Sequence, residues 1–293
     1  MTGALTIVAN PAAGSGEALH VIQRLLALDP AARVVLSEDP RGVRSTVAEL
    51  ELGDSDTLAV LGGDGTIHQA VSGLFDAGES ALPTMAVLPC GSGNALASAL
   101  GVQREDDAIS ALFKGVQRSI DVARLETDAG ISHAINVIGW GLPARVTERA
   151  ATARGAGEMP YTKTAVRELL FGDTSAVGVQ LAERPPAQDA LGMACLTPHA
   201  GGGMPVAPDA LLDDGALDLV RVGPTGRLSL LSLFARLIFG KHLSARGVSH
   251  ELVEVLKLEF DSPQPVVVDG EMLETKRLSV EVLARALRVC SPR

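Results

Sequence analysis

The first hundred residues of this 293-residue chain repeat one unit four times: a short apolar run, a turn carrying glycine or proline, then a helix-like segment. The apolar runs Leu5–Ala9, Arg33–Leu36, Thr57–Leu61 and Thr84–Leu88 read as buried strands. The helical patterns lie near Gly16–Leu28, Gly42–Leu50, Thr66–Phe75 and Gly93–Leu100. Strands alternating with helices predict a doubly wound α/β domain, a parallel sheet with helices on both faces. Functional loops in such a sheet gather at the carboxyl ends of its strands.

After about Ser119 the texture changes. Ser119–Thr127, Ser132–Val137, Ala176–Leu181, Gly192–Leu196, Ala216–Val222, Val253–Phe260 and Pro265–Val268 are strand-like, and Asp-Gly turns at Asp214 and Asp269 follow some of them. Helical patterns interrupt near Pro143–Ala153, Tyr161–Phe171 and Arg227–Phe239. The expectation is an antiparallel β-domain, a sandwich, over residues 121–280. It follows an α/β domain over residues 1–120 that the last segment, 281–293, returns to complete.

Bulk properties exclude several classes. The formal charge of -10 repels phosphate backbones, so no nucleic-acid partner is expected. The same charge argues against strong electrostatic adhesion to anionic bilayers, leaving membrane contact apolar and local. Cys90, Cys195 and Cys290 are widely spaced and follow no metal-ligand pattern, which suits a reducing cytoplasm. The N-terminal stretch has no basic region followed by a long apolar run, so no signal peptide is expected. Leu228–Phe239, the most apolar stretch, is too short to span a bilayer. It reads either as a buried helix or as a helix lining or capping a lipid entrance.

Three glycine-bearing loops follow three of the four predicted strands, and each ends where a helix begins. They are Asn10-Pro11-Ala12-Ala13-Gly14-Ser15-Gly16, Gly62-Gly63-Asp64-Gly65-Thr66 and Pro89-Cys90-Gly91-Ser92-Gly93-Asn94. Glycine lets backbone approach a ligand closely, and helix N-termini present free N–H groups with partial positive charge. Three such turns on one sheet edge describe a polyphosphate site. Neither a Walker A sequence nor a GxGxxG fingerprint is present. Asp64 is the one acid inside these loops; set against phosphates it implies an intervening Mg²⁺, unless it serves as a turn or cap residue.

Near the C-terminus, Val266-Val267-Val268-Asp269-Gly270-Glu271 sets two acids across a glycine turn. This is either an ordinary hairpin or a place where Glu271 or Asp269 takes a proton from an attacking hydroxyl. Cys90 reads as a small buried hydrophobe or as a reactive thiol beside the third loop, Trp140 as core or pocket wall, and His199 with Gly201-Gly202-Gly203 as a surface loop or a lid.

In this order and spacing, NPAAGSG, LGGDGTIHQAVSGL, LPCGSGNALASALG, PDALLDDGALDL and PVVVDGEML resemble the diacylglycerol kinase catalytic-domain superfamily, which includes bacterial lipid kinases and sphingosine and ceramide kinases. The matching stretches run from residue 10 to residue 273. The resemblance implies an NAD-kinase-like nucleotide domain, a β-sandwich carrying the lipid site, and catalysis in the cleft between them. It implies that ATP contacts Asn10, Pro11, Ala12, Ala13 and Gly14, then Ser37, then Gly62, Gly63, Asp64, Gly65, Thr66, Ile67, His68 and Gln69, with Ser92 and Asn94 from the third loop. Asp64 acts beside Mg²⁺-bound phosphates, Glu271 is the general base and Asp269 supports it. A structural Mg²⁺ on the LLDDGAL turn takes the carbonyls of Leu211 and Ala216 and the Asp214 carboxylate. The implied partners are a lipid substrate and a transient membrane surface, with a homodimer left open.

Departures leave the acceptor unsettled. Ala95 stands where many bacterial members carry Asp, and GSGNALA with His68 looks closer to sphingosine kinases. IGWGLPA, residues 138–144, lacks the acid those enzymes use for the substrate amine and has Pro143 where a bacterial-type Asp stands. Glu17 replaces a frequent basic residue. The rival readings are a soluble-substrate kinase of the NAD kinase type and a non-catalytic nucleotide- or lipid-binding relative.

Overall fold

A computed structural model describes residues 3–10, 17–37, 42–78, 81–91, 93–154, 161–182 and 184–293. The chain forms two compact units: Met1–Val122 with Ala284–Arg293, and Ala123–Leu283.

In unit 1 the order is β1 (Leu5–Ala9), α1 (Glu17–Leu28), β2 (Arg33–Leu36), α2 (Val43–Ala48), β3 (Thr57–Gly62), α3 (Asp64–Ala77), β4 (Thr84–Pro89), α4 (Ala95–Ala99), α5 (Glu105–Lys114) and the start of β5 (Val116–Thr127). Strands β2, β1, β3 and β4 lie side by side and parallel. β1 and β3 are buried along their whole length, as uniformly apolar strands covered on both faces should be. α3 turns Ile67, Ala70, Val71 and Leu74 into the core, the i, i+3, i+4, i+7 pattern of an amphipathic helix. α5 was not expected. Its first turn carries Glu105, Asp106 and Asp107, which favour the positive end of the helix dipole, and Arg24 of α1 reaches Glu105 at 2.6 Å and Asp106 at 2.8 Å.

Unit 2 holds the end of β5, β6 (Gly130–Ala134), β7 (Val137–Gly141), α6 (Leu142–Arg154), α7 (Tyr161–Phe171), β8 (Val177–Leu181), β9 (Ala187–Asp189), β10 (Leu191–Cys195), β11 (Leu217–Val222), α8 (Arg227–Ile238), β12 (Val248–Val253), β13 (Val255–Val268) and most of β14 (Glu271–Ser291). Its strands pair antiparallel in the order β12-β11-β10-β7-β13-β14. The two expected strands Val253–Phe260 and Pro265–Val268 are one, β13, interrupted by a register shift between Glu259 and Gln264. Ahead of that shift β13 pairs with β8, and after it with β7. Beyond Leu283, β14 adds Val289 beside Met85 of β4 in parallel, within unit 1.

Trp140 is fully buried in the core of unit 2, with Phe260, Leu219 and Leu258. Its indole Nε1 donates to Asp189 Oδ2 at 3.0 Å, and Arg221 binds the same carboxylate through two nitrogens at 2.9 and 2.8 Å. A buried carboxylate persists because all three contacts compensate its lost hydration. Trp140 is therefore core, not pocket wall.

Candidate active site

The carboxyl edge of the parallel sheet gathers Asn10, Ser37 and the second and third glycine loops, which the sequence assigns to phosphate. The Ser37 N–H donates to Ala9 O at 3.0 Å, so Ser37 and Asn10 end neighbouring strands, both buried. One strand over, Cys90 N–H donates to Gly62 O at 3.0 Å and brings the second and third loops together. Their backbones touch: a β-carbon on Gly91 would overlap Gly63 Cα, so neither position has room for a larger residue. Asp64 opens α3, and its Oδ1 accepts the Ala95 N–H at 2.7 Å, bridging the two loops. Gly93 packs against Asp64 Oδ2. Asn94 closes the third loop by accepting the Gly91 N–H at 3.2 Å and donating to Gly91 O at 2.6 Å, from a left-handed backbone at φ 49°.

No side chain caps α3 at Gly63. First-turn N–H groups of a helix are the kind of donors that can serve an anion. Gln69 Oε1 is buried without a hydrogen-bond partner among the described residues. The expected contacts differ in kind. Thr66, Ile67 and His68 are buried against the sheet, whereas Gly65 is half-buried. Pro11, Ala12, Ala13, Gly14 and Ser92 lie outside the described residues.

In unit 2, Asp269 is buried at the tip of the β13–β14 turn with φ 49°. Its carboxylate accepts three backbone N–H groups: Ile135 at 2.8 Å on Oδ2, then Asn136 at 2.9 Å and Val137 at 2.8 Å on Oδ1. The Asp269 N–H donates in return to Val137 O at 2.9 Å. Glu271, two residues on, is exposed, and its side chain makes no hydrogen bond or ion pair among the described residues. One acid holds the turn and the other projects from it.

β7 begins at this turn and runs about 13 Å to Gly141, where α6 starts. Beside that end lies an apolar cavity of about 100 Å³. Leu142 and Val146 of α6, Ala165 of α7, Met193 of β10 and Leu230 and Phe234 of α8 line it, with others of the same kind. Its two polar members are spoken for. The buried Tyr161 hydroxyl bonds Thr147 Oγ1 at 3.2 Å, and burial raises its pKa. His242 Nε2 meets Val206 O at 2.8 Å; burial lowers its pKa, so the ring is neutral with its proton on Nε2. The His199–Gly203 segment is no free lid: Ala200 and Met204 bridge to each other, and both line the cavity. Nor is Leu228–Phe239 a buried helix. Of α8, Leu230 alone is fully buried, and Leu228 is 82% exposed.

At the LLDDGAL turn, Leu211 and Asp214 are exposed, Gly215 has φ 78°, and Asp214 Oδ1 accepts the Ala216 N–H at 3.2 Å. Burial raises the pKa of nearby Asp218, the charges of Asp214 and Asp209 raise it further, and a 2.6 Å hydrogen bond to His250 opposes the rise. The turn is rich in acids, with Asp209, Asp213, Asp214 and Asp218 close in sequence. Among the described residues no group of three or more His, Cys, Asp or Glu side chains forms a metal cage. Any bound ion would have to rely on carbonyls, water or ligand oxygens, which hard divalent cations accept.

Residues 4–125 match the diacylglycerol kinase catalytic domain, and residues 136–291 match the YegS C-terminal NAD kinase beta sandwich-like domain. A YegS-like lipid kinase of Chromohalobacter salexigens is 30% identical over 86% of this chain and 80% of its own length. Sphingosine kinase 1 of Mus musculus is 28% identical over 98% of this chain and 91% of its own. A crystal structure of a Bacillus anthracis diacylglycerol kinase has the same fold, with TM-score 0.73 over 98% of this chain and 96% of that one at 21% identity. Fold and matches together define a phosphotransferase of the lipid kinase class. Within that class, the chain belongs to the diacylglycerol kinase catalytic-domain family, in its two-domain form with a YegS-type C-terminal part.

Proposed function

We propose that this enzyme transfers the γ-phosphoryl group of ATP to a hydroxyl of a diacylglycerol- or sphingosine-like lipid. The observation that carries the reading is the combination, inside unit 2, of an apolar cavity with a braced acid turn, joined by the single strand β7. A cavity walled by leucine, valine, methionine and phenylalanine accepts hydrocarbon and rejects a nicotinamide or a sugar.

Phosphoryl transfer depends on position and charge neutralisation more than on covalent help. On unit 1, Asn10, Ser37, Gly63 and the open start of α3 are the groups assigned to ATP, with Gln69 and Asn94 beside them. Mg²⁺ carried on the nucleotide would neutralise the phosphate oxygens, with Asp64 as a carboxylate assigned beside it. The proton of the acceptor hydroxyl is assigned to Glu271. Asp269 has its oxygens committed to three N–H groups, whereas Glu271 has free lone pairs. Asp269 acts as a positioning residue. The acidic turn at Asp214, with the carbonyls of Leu211 and Ala216, is assigned a structural divalent cation.

The test is a panel of dispersed diacylglycerol, ceramide, sphingosine and NAD⁺, each offered with radiolabelled ATP and Mg²⁺. Label on a lipid supports the assignment. Label on NAD⁺ alone, or on nothing, ends it.

A further inference from the structure

The outer face of α8 is apolar and exposed. Its inward residues Leu230, Leu233, Phe234 and Leu237 line the cavity. The opposite stripe, at i, i+4, i+7 and i+11, is Leu228, Ser232, Ala235 and Phe239, and all four are exposed. Leu228 is 82% exposed and Phe239 75% exposed, values with no structural benefit in water. Arg227 extends the patch by donating to Leu169 O at 2.7 Å and Gly172 O at 2.9 Å. Those bonds fasten the end of α7, which carries Phe171, 81% exposed, to the start of α8, which carries Leu228.

Charge identifies the occupant. The chain as a whole has 35 acidic and 25 basic residues, yet residues 219–250 contain no Asp or Glu. In that stretch Arg236, Lys241 and Arg246 are exposed and form no ion pair among the described residues. On α7, Lys163 and Arg167 stand one turn apart on the ridge that leads to Phe171, equally exposed and unpaired. Apolar side chains ringed by free cations are the composition of a helix that lies in the interface of an anionic bilayer. A second copy of the chain fits poorly, because the exposed cations of this face outnumber Asp173 at the end of α7 and would meet their own kind across the seam.

We propose that α8 and the end of α7 seat the enzyme on an anionic bilayer, with Leu228, Phe239 and Phe171 inserted and Arg236, Lys241 and Arg167 on the lipid phosphates. The sequence-derived expectation of a purely apolar contact changes accordingly: an acidic protein carries a local basic patch. The inference rests on the lipid-substrate reading and extends it. A bilayer against the outer face of α8 lies one helix thickness, about 10 Å, from the cavity on its inner face.

The experiment is flotation of the full chain with vesicles of phosphatidylcholine alone and of phosphatidylcholine with about 30% phosphatidylglycerol (our choice of an anionic surface, ample for a polybasic patch). Two double variants are compared with the parent, L228S/F239S and R236E/K241E; all four sites are exposed, so folding is retained. Binding to the anionic vesicles should fall at least tenfold in each variant and in the parent at 0.5 M salt, as about a Debye length of 3–4 Å then screens the patch. Phosphorylation of a short-chain acceptor dissolved as monomers should stay within twofold of the parent. Parent-like vesicle binding by both variants overturns the docking face. So does a parent dimer that L228S/F239S converts to monomer without loss of vesicle binding, which would make the face a subunit interface. Vesicle binding that follows the prediction while no lipid accepts phosphate would leave docking standing and remove the lipid-acceptor reading.

Discussion

Asp269 and Val137 bind each other twice: the Val137 N–H donates to Asp269 Oδ1 at 2.8 Å, and the Asp269 N–H donates to Val137 O at 2.9 Å. This reciprocal pair fixes the turn that carries Glu271 to the first residue of the strand leading to the cavity. Removing the carboxylate strands three N–H groups, two of them in buried bonds and one in a part-buried bond, each worth about 1–3 kcal/mol when left unsatisfied. Asp269→Ala should therefore lose at least about 3 kcal/mol in urea denaturation. Asp269→Asn keeps one acceptor oxygen and tolerates a φ of 49°, so its loss should be less than half as large. Equal stability of Asp269→Ala and the parent would contradict the bonding described.

Gly93→Ala tests the contact between the loops of unit 1. A methyl group at this position overlaps Asp64 Oδ2 and pushes the carboxylate off the Ala95 N–H. The KM for ATP should rise about tenfold, the scale of a 1.4 kcal/mol loss, with the KM for lipid unchanged. A rise in the lipid KM alone would separate Asp64 from the nucleotide.

Cavity filling should read out on the acceptor. Ala165 is buried in α7 and lines the cavity, so Ala165→Leu takes up space meant for hydrocarbon at an overpacking cost of about 1–3 kcal/mol. The expected result is a long-chain acceptor KM raised several-fold and a smaller change for a short-chain acceptor. An identical change for both chain lengths would remove the cavity from substrate binding.

His242 sets a pH dependence of stability. Burial lowers its folded pKa below the ordinary 6.5, so the neutral ring is the stable form in the fold. Its contribution is therefore complete above about pH 6.5 and is lost as pH falls through the lower folded value. His242→Gln, which can still donate to Val206 O, should flatten the loss of melting temperature between about pH 6.5 and 5. An unchanged profile would assign the acid sensitivity elsewhere.

Asp218 runs in the opposite direction. Burial, then Asp214 and Asp209, raise its pKa, so its stabilising share is present at low pH and is lost as pH rises through the elevated value. At neutral pH a cation on the Asp214 turn would relieve it. Mg²⁺ or Ca²⁺ should raise the melting temperature of the parent by a few degrees, on the order of 1 kcal/mol, and Asp214→Asn should abolish that rise. The same rise in Asp214→Asn would exclude this turn as the cation site.

Local pattern revealed much of this fold. β1 and β2 fall on the expected residues, and so does α7, because uniformly apolar strands and an amphipathic helix carry their periodicity in short windows. β7 was missed: VIGWG alternates tryptophan with glycine, and its strand pairing comes from β10 and β13, which are distant in sequence. α8 was ambiguous because it is apolar nearly all round, so sequence could not say which side met protein. The glycines that let the second and third loops touch, Gly63 and Gly91, were legible as turns. The bond from Asp64 to Ala95 and the three N–H groups on Asp269 join residues 31 and more than 130 positions apart and leave no local signal.

The most direct test of the whole account is single-turnover phosphorylation of the preferred lipid by Glu271→Gln, with ATP affinity measured on the same preparation. The substitution keeps the size of an exposed side chain that bonds to nothing else described, so the fold and ATP binding should be unaffected. The rate of the chemical step should fall by about 10²–10⁴, the usual share of a positioned general base. A rate within threefold of the parent would show that Glu271 does not take the acceptor's proton.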